Sequence, residues 1–205
     1  MTTKNVSKRY QGGSSLIELM ISSLIGLILL GVIGSVFLNL QKTAREKSLE
    51  LNLLQGFNLT FSVMKEDTQR AGYDGGNGNS LKVSGSINTI TLSGASSVGF
   101  VYFKKGSPEN KDYRNIKYEK RDERLLICEK GVVSQAQILT LDGIDFCRSL
   151  FDEDIFHVTQ FSVSSGTVTN GKTTSALTEI QLGLQTVDGS FSKVETVSIK
   201  QRNWQ

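Results

Sequence analysis

The sequence predicts an α+β protein in which a long N-terminal helix precedes an antiparallel β-sheet domain. Three observations predict it. Residues Leu19 to Leu38 are twenty consecutive uncharged positions dominated by Leu and Ile. Leu53, Phe57, Phe61 and Met64 then recur every three or four residues. From about residue 80 the texture changes to short β-type runs separated by Gly, Ser, Asn and Asp.

The uncharged run spans about 30 Å as a helix at 1.5 Å per residue, enough to cross a bilayer. Lys4, Lys8 and Arg9 precede it and mark the cytoplasmic side, which puts residues beyond about 40 outside the inner membrane. An ordinary secretory signal has a shorter apolar core followed by small residues, whereas here Gly12 and Gly13 come before the run. Past the membrane the apolar stripe of Leu53, Phe57, Phe61 and Met64 is set against Lys47, Glu50, Lys65 and Glu66, the pattern of an amphipathic helix with one face to bury. One continuous helix from about Ser15 to Arg70, roughly 80 Å long, is the economical reading. The chain's sole proline, Pro108, does not interrupt it. Gly26, Gly31 and Gly34 each weaken it by about 1 kcal/mol relative to alanine. They permit either close helix packing or partial unwinding. The dense glycines and Asx residues from Ala71 to Asn79 end the helix in a turn.

The β-type runs are Ile87 to Leu92, Phe100 to Phe103, Ile116 to Tyr118, Leu125 to Cys128 and Ile138 to Leu141. Later, Ile180, Leu182 and Leu184 alternate with Glu179, Gln181 and Gln185, and an Asp188-Gly189 turn leads into Val194 to Ile199. This reads as a hairpin with one buried face.

Composition excludes several functions. The mean hydropathy of −0.15 hides an uneven distribution of apolar residues. Three of the 23 basic residues lie in the first thirteen positions, which hold no acid, so beyond Gly13 there are 20 basic against 20 acidic side chains. No basic stretch interleaved with aromatics follows, and no nucleic acid partner is expected. Cys128 and Cys147 both fall in the half expected outside the membrane, where an oxidising compartment makes a disulfide between them the default. It would close a loop of about 20 residues, for which chain entropy gives roughly 3 kcal/mol. No His cluster marks a metal site, and Asp74, Asn77 and Asn79 do not have EF-hand spacing. The glycines after Tyr73 are not followed by Gly-Lys-Ser/Thr, so they do not cradle phosphate. His157, the single histidine, sits between Phe156 and Val158 as a strand residue with no nucleophile marked nearby. Asp152-Glu153-Asp154 reads as a solvated loop, and Arg121-Asp122-Glu123-Arg124 as a charged turn. No enzyme activity, cofactor or metal is expected.

Glu18 is the exception inside the apolar stretch Leu16-Ile17-Glu18-Leu19-Met20-Ile21. An ionisable group there is expensive and needs a partner. Cleavage after Gly13 would supply the α-ammonium of Ser14, four residues from Glu18, and in a helical bundle the amine of one subunit can also meet the carboxylate of a neighbour. The stretch Gly13-Ser14-Ser15-Leu16-Ile17-Glu18-Leu19 resembles the type III signal of type IV pilins and type II secretion pseudopilins. That signal has a glycine before the cut, a glutamate at the fifth mature position and a hydrophobic run behind it. The family usually has phenylalanine where this chain has Ser14. The resemblance implies peptidase cleavage between Gly13 and Ser14, N-methylation at Ser14 and an assembly role for Glu18.

Glu66-Asp67-Thr68-Gln69-Arg70-Ala71-Gly72-Tyr73 resembles the helix end of PilW-type minor pilins, and Val197 to Asn203 resembles the strand that closes such chains on an Arg-Asn pair. In many of those chains a cysteine follows the tyrosine; this chain has Gly76 nearby. The resemblance implies the pilin-like architecture, with the second half of the helix packed on the sheet. It also implies residues 1–13 as a leader, 14–40 as the transmembrane and assembly half of the helix, 41–72 as its periplasmic half and 73–205 as the globular domain. The implied partners are a prepilin peptidase, other minor pilins, the major pilin and the inner-membrane assembly platform. The implied location is the inner membrane, single-pass with the C-terminal domain in the periplasm, and then the filament tip. A J-type pseudopilin of type II secretion, a tip adhesin and a DNA-uptake pilin are the alternative roles.

Overall fold

The computed structural model of the protein describes residues 15–170 and 173–201. A single helix, α1, runs Leu16–Arg70, with no proline to interrupt its hydrogen-bond ladder. The chain forms two compact units, one ending at Ser48 and one running from Leu49. The described part of the first unit is helical, and none of its residues is buried.

In the second unit, the remainder of α1 is followed by β1 (Thr91–Leu92), β2 (Ser97–Phe103), β3 (Tyr113–Arg121), β4 (Arg124–Val132), β5 (Cys147–Ser149), β6 (Phe156–Asn170), β7 (Thr173–Thr186) and β8 (Ser192–Lys200). Strands β1 to β5 form one antiparallel sheet in chain order, and β6 to β8 form a second. Neighbouring strands in sequence pair because each connection reverses the chain.

The long helix therefore packs on antiparallel sheet, and period-3.6 burial meets period-2 burial. From α1, Leu53, Phe57 and Met64 enter a core with Phe100 of β2, Ile116 and Tyr118 of β3 and Ile127 of β4. The second sheet closes the same core with Phe161, Val163, Ile180, Leu182, Leu184 and Ile199. On the first sheet, alternate residues point the other way. Val101, Leu126 and Cys128 form a second core with Leu81, Val83, Leu141 and Ile144. Strands covered on both faces read as continuous apolar runs, which is why Phe100 to Phe103 and Leu125 to Cys128 do not alternate.

Ile138 to Leu141, expected as a strand, belongs to no strand. It is strapped across the second face of the first sheet. Buried Asn115 accepts a hydrogen bond from the Leu139 amide (3.1 Å) and donates to the Lys130 carbonyl (2.9 Å), while the Leu139 carbonyl accepts from Ser84 N (2.9 Å). Of Ile87 to Leu92, only Thr91 and Leu92 pair, because Ser86 N bonds back to the Val83 carbonyl and turns the chain.

The glycine-rich end of α1 is a junction with the first sheet. Gly72 adopts φ +86°, donates its amide to the Val101 carbonyl (2.8 Å) and accepts from Leu81 N (2.9 Å). A Cβ there would fall 2.2 Å from Thr89 Cγ2, so any other residue needs Thr89 to shift and puts an L side chain in a backbone region that favours glycine. Asp74 then organises the turn by accepting the amides of Gly76 and Asn77 through Oδ1 and of Asn79 through Oδ2. These backbone N–H groups, Asn79 first, hold its carboxyl below the usual range.

Candidate functional site

The first turn of α1 closes on Ser15, whose carbonyl accepts Glu18 N (2.9 Å) and Leu19 N (3.2 Å). Three serines in the apolar run spend their hydroxyls locally: Ser22 Oγ donates to the Glu18 carbonyl (2.7 Å), Ser23 to Met20 and Ser35 to Val32 (both 2.8 Å). This back-bonding lets a hydroxyl sit in an apolar surround without an unmet donor.

The large apolar side chains from Leu16 to Leu40 are all exposed, between 51% at Ile25 and 75% at Leu16. No described residue of the chain covers them. A helix apolar on every side is stable only where lipid or other helices surround it. The span is long and apolar enough to cross a membrane. A Cβ at Gly26, Gly31 or Gly34 would meet nothing within 4 Å, so no contact among the described residues requires these glycines.

Glu18 is the sole ionisable side chain between Gln11 and Gln41. It lies in the first turn of α1, where the helix dipole favours an acid. Among the described residues it has no ion-pair partner, since the nearest basic side chains in the described sequence begin at Lys42. Gly13 and Ser14 lie outside the described residues, as does the Arg202-Asn203 pair.

At the other end of α1, the acidic, arginine-containing turn proves to be a buried polar clamp. Asp67 accepts hydrogen bonds from the hydroxyls of Tyr118 (2.6 Å) and Tyr102 (3.2 Å), which reach it from β3 and β2. Burial pushes the Asp67 carboxyl above its ordinary value despite both bonds, and burial beside that carboxylate pushes both phenols up as well. Arg70 pairs with Glu66 one turn back and lies 5.9 Å over the Tyr102 ring. Asp67 falls three residues after buried Met64 on the core-facing stripe. An acid at that spacing was the signal for the clamp, and reading the segment as a helix end alone passes over it.

Cys128 and Cys147 are opposed in the β4–β5 register and joined by a disulfide, with Cα atoms 3.8 Å apart. Glu119 lies near both sulfurs, but sulfurs in a disulfide are not thiolate ligands. His157 sits on β6 with Nδ1 3.2 Å from Glu123 Oε2. Glu153 of the acidic loop lies 3.7 Å from Arg124, and Asp152 caps Asp154 N (3.0 Å).

The prokaryotic N-terminal methylation motif matches residues 8–34, which include Gly13, Ser14, Glu18 and most of the apolar run. No curated protein matches the chain. Among solved structures it is similar to a type IV-like pilin from Thermus thermophilus, at 11% identity and a TM-score of 0.47, over 73% of this chain and 97% of that one. A motif of this prepilin type implies processing by a prepilin peptidase and assembly with other pilins, and together with the apolar helix it fits a membrane-anchored, type IV pilin-like protein.

Proposed function

We propose that this chain is a minor type IV pilin that takes part in starting or assembling the pilus, in a priming or tip complex with other minor pilins. The observation that carries the reading is a lone carboxylate, Glu18, in the first turn of an apolar helix that no described residue covers, inside the matched motif. In this reading the peptidase cuts between Gly13 and Ser14 and removes residues 1–13. The new ammonium of Ser14, a methylation site, meets Glu18 in the same chain or a neighbouring one. Residues 14–40 hold the subunit in the inner membrane and then in the filament, with Gly26, Gly31 and Gly34 offering close approach to a second helix. Residues 41–72 and 73–205 lie in the periplasm before assembly, where the Cys128–Cys147 disulfide is stable. The partners are the peptidase, other minor pilins, the major pilin and the assembly platform.

Mass spectrometry of the cellular protein tests this. A mature chain beginning at Ser14 in cells with active peptidase, and an intact leader without it, is the expected pair of results. Glu18→Ala should leave cleavage intact and abolish recovery in sheared filaments. Retention of the leader in peptidase-positive cells, or normal recovery of the Glu18 variant, overturns the proposal. Loss of piliation with unimpaired protein secretion on deletion separates this role from that of a J-type pseudopilin.

A further inference from the structure

Strand β8 is an open edge. It pairs with β7 from Leu177↔Lys200 to Gln185↔Ser192 without a register break. Two flanking bonds fix which groups face inward: Thr186 N donates to the Phe191 carbonyl and Gln201 N to the Ala176 carbonyl. Hydrogen-bonded pairs recur every second residue in an antiparallel ladder. Lys193, Glu195, Val197 and Ile199 therefore bond to β7, and the N–H and C=O groups of Ser192, Val194, Thr196 and Ser198 face away from it. Among the described residues, nothing bonds to that outward row. The strand is nine residues long and carries neither proline nor bulge, two of the devices that usually blunt an exposed edge. Its neighbouring charges Lys193 and Glu195 pair with each other at 2.6 Å.

The geometry points to β8 as a self-pairing edge: a second copy of this chain adds its own β8 antiparallel, about a two-fold axis at Val194. The charges select this register. With Val194 opposite its own copy, Lys193 faces the partner's Glu195, Glu195 faces the partner's Lys193, and Phe191 faces the partner's Val197. A two-fold at Thr196 would instead set Lys193 against Ile199 and Glu195 against Val197. A two-fold at Ser198 would set Glu195 against the uncharged Gln201. The Val194 axis makes 192/196, 194/194 and 196/192 the hydrogen-bonded pairs. Lys193 and Glu195 then fall in non-hydrogen-bonded pairs, where side chains approach most closely. Phe191 and Val197 are only partly buried in the single chain, so each has apolar surface left to cover. The inference concerns the sheet domain and stands apart from the pilin reading. A two-stranded seam is smaller than the roughly 1,200–2,000 Å² of stable complexes, so the pairing is concentration-dependent.

Cysteine cross-linking of the full chain in detergent micelles tests it. Val194 is 47% exposed, so Val194→Cys is tolerated, and across the axis its Cα would lie about 5.5 Å from its copy, within disulfide reach. The expected result is that Val194→Cys gives at least ten-fold more covalent dimer than Ser198→Cys or a cysteine at exposed Ser93. Adding Lys193→Glu should suppress that yield several-fold, and adding Glu195→Lys as well should restore it. In the unsubstituted chain, the amides of Ser192, Val194 and Thr196 should exchange more slowly as protein concentration rises. Equal yields at all three cysteines, a higher yield at Ser198→Cys, indifference to charge reversal, or amide exchange independent of concentration each overturns the proposal. So does protection of these amides only when a different pilin is added.

Discussion

Residues 16–48 and 49–70 of α1 share one backbone geometry and differ in what their side chains meet. In the first stretch every large apolar side chain is exposed, and in the second Leu53, Phe57 and Met64 are nearly inaccessible. The difference follows from pattern rather than hydrophobicity alone. The first stretch is apolar on all sides, whereas the second places Leu53, Phe57 and Met64 on one stripe that the sheets cover and leaves Leu51, Leu59 and Val63 exposed. One helix thus reports on two environments, an external apolar one and an internal core.

The largest effect expected from this comparison is in the core. Leu53→Ala or Met64→Ala should lower the stability of the sheet domain by about 2–5 kcal/mol, as buried truncations do. Leu29→Ala, chemically the same change at a 56% exposed position, should shift it by no more than about 0.5 kcal/mol. Denaturant unfolding of the full chain in detergent measures both, and equal losses at Leu29 and Leu53 would break the distinction. Next comes the disulfide. Replacing Cys128 and Cys147 by serine should remove roughly 3 kcal/mol from the same domain, since the cross-link closes a loop of about 20 residues. The helicity of the first stretch should not change.

Much of this contrast is legible in the sequence. The helix expected from about Ser15 to Arg70 is observed from Leu16 to Arg70, because periodicity, the absence of proline and the glycine-rich exit all agree. The terminal hairpin is equally legible, since Ile180, Leu182 and Leu184 alternate cleanly. Strand β6 is not. Its buried residues Val158, Phe161 and Val163 lose the period of two because the register breaks between Val158 and Gln160, and the run Ser164-Ser165-Gly166 reads as a loop. The strap at Ile138 to Leu141 misleads in the opposite sense, because burial against a sheet face leaves the same apolar signature as a strand. At the candidate site, Glu18 is visible as a charge in an apolar field. Asp67 shows only as an acid on the core-facing stripe, and its role does not, because its partners Tyr102 and Tyr118 come from strands 35 and 51 residues away.

The junction between helix and sheet offers two smaller tests. Gly72→Ala should destabilise the domain by about 1–3 kcal/mol through its positive φ and the approach of Thr89 Cγ2. A melting curve unchanged from the parent chain would show that Thr89 can move aside.

Asp67 gives the smallest effect and the one with a sign to check. Its carboxyl is raised in the folded chain, chiefly by burial and in part by Glu129, against the lowering pull of Tyr118, Tyr102 and Arg70. The folded state therefore holds the proton to higher pH than the unfolded state does. The stability this contributes is complete below the ordinary carboxylate value and is lost as pH rises through the raised one. Asp67→Asn removes the titration while keeping an oxygen to accept from Tyr118. The variant should match the parent chain at the acid end and gain on it steadily as pH rises toward neutral. Asp67→Ala should instead lose about 1–3 kcal/mol at every pH, because two buried phenol hydroxyls are left without an acceptor. A parent chain that gains on Asp67→Asn with rising pH would mean that the two tyrosine bonds outweigh burial, and that Asp67 fastens the helix to the sheet as a charge rather than as an acid held against its desolvation.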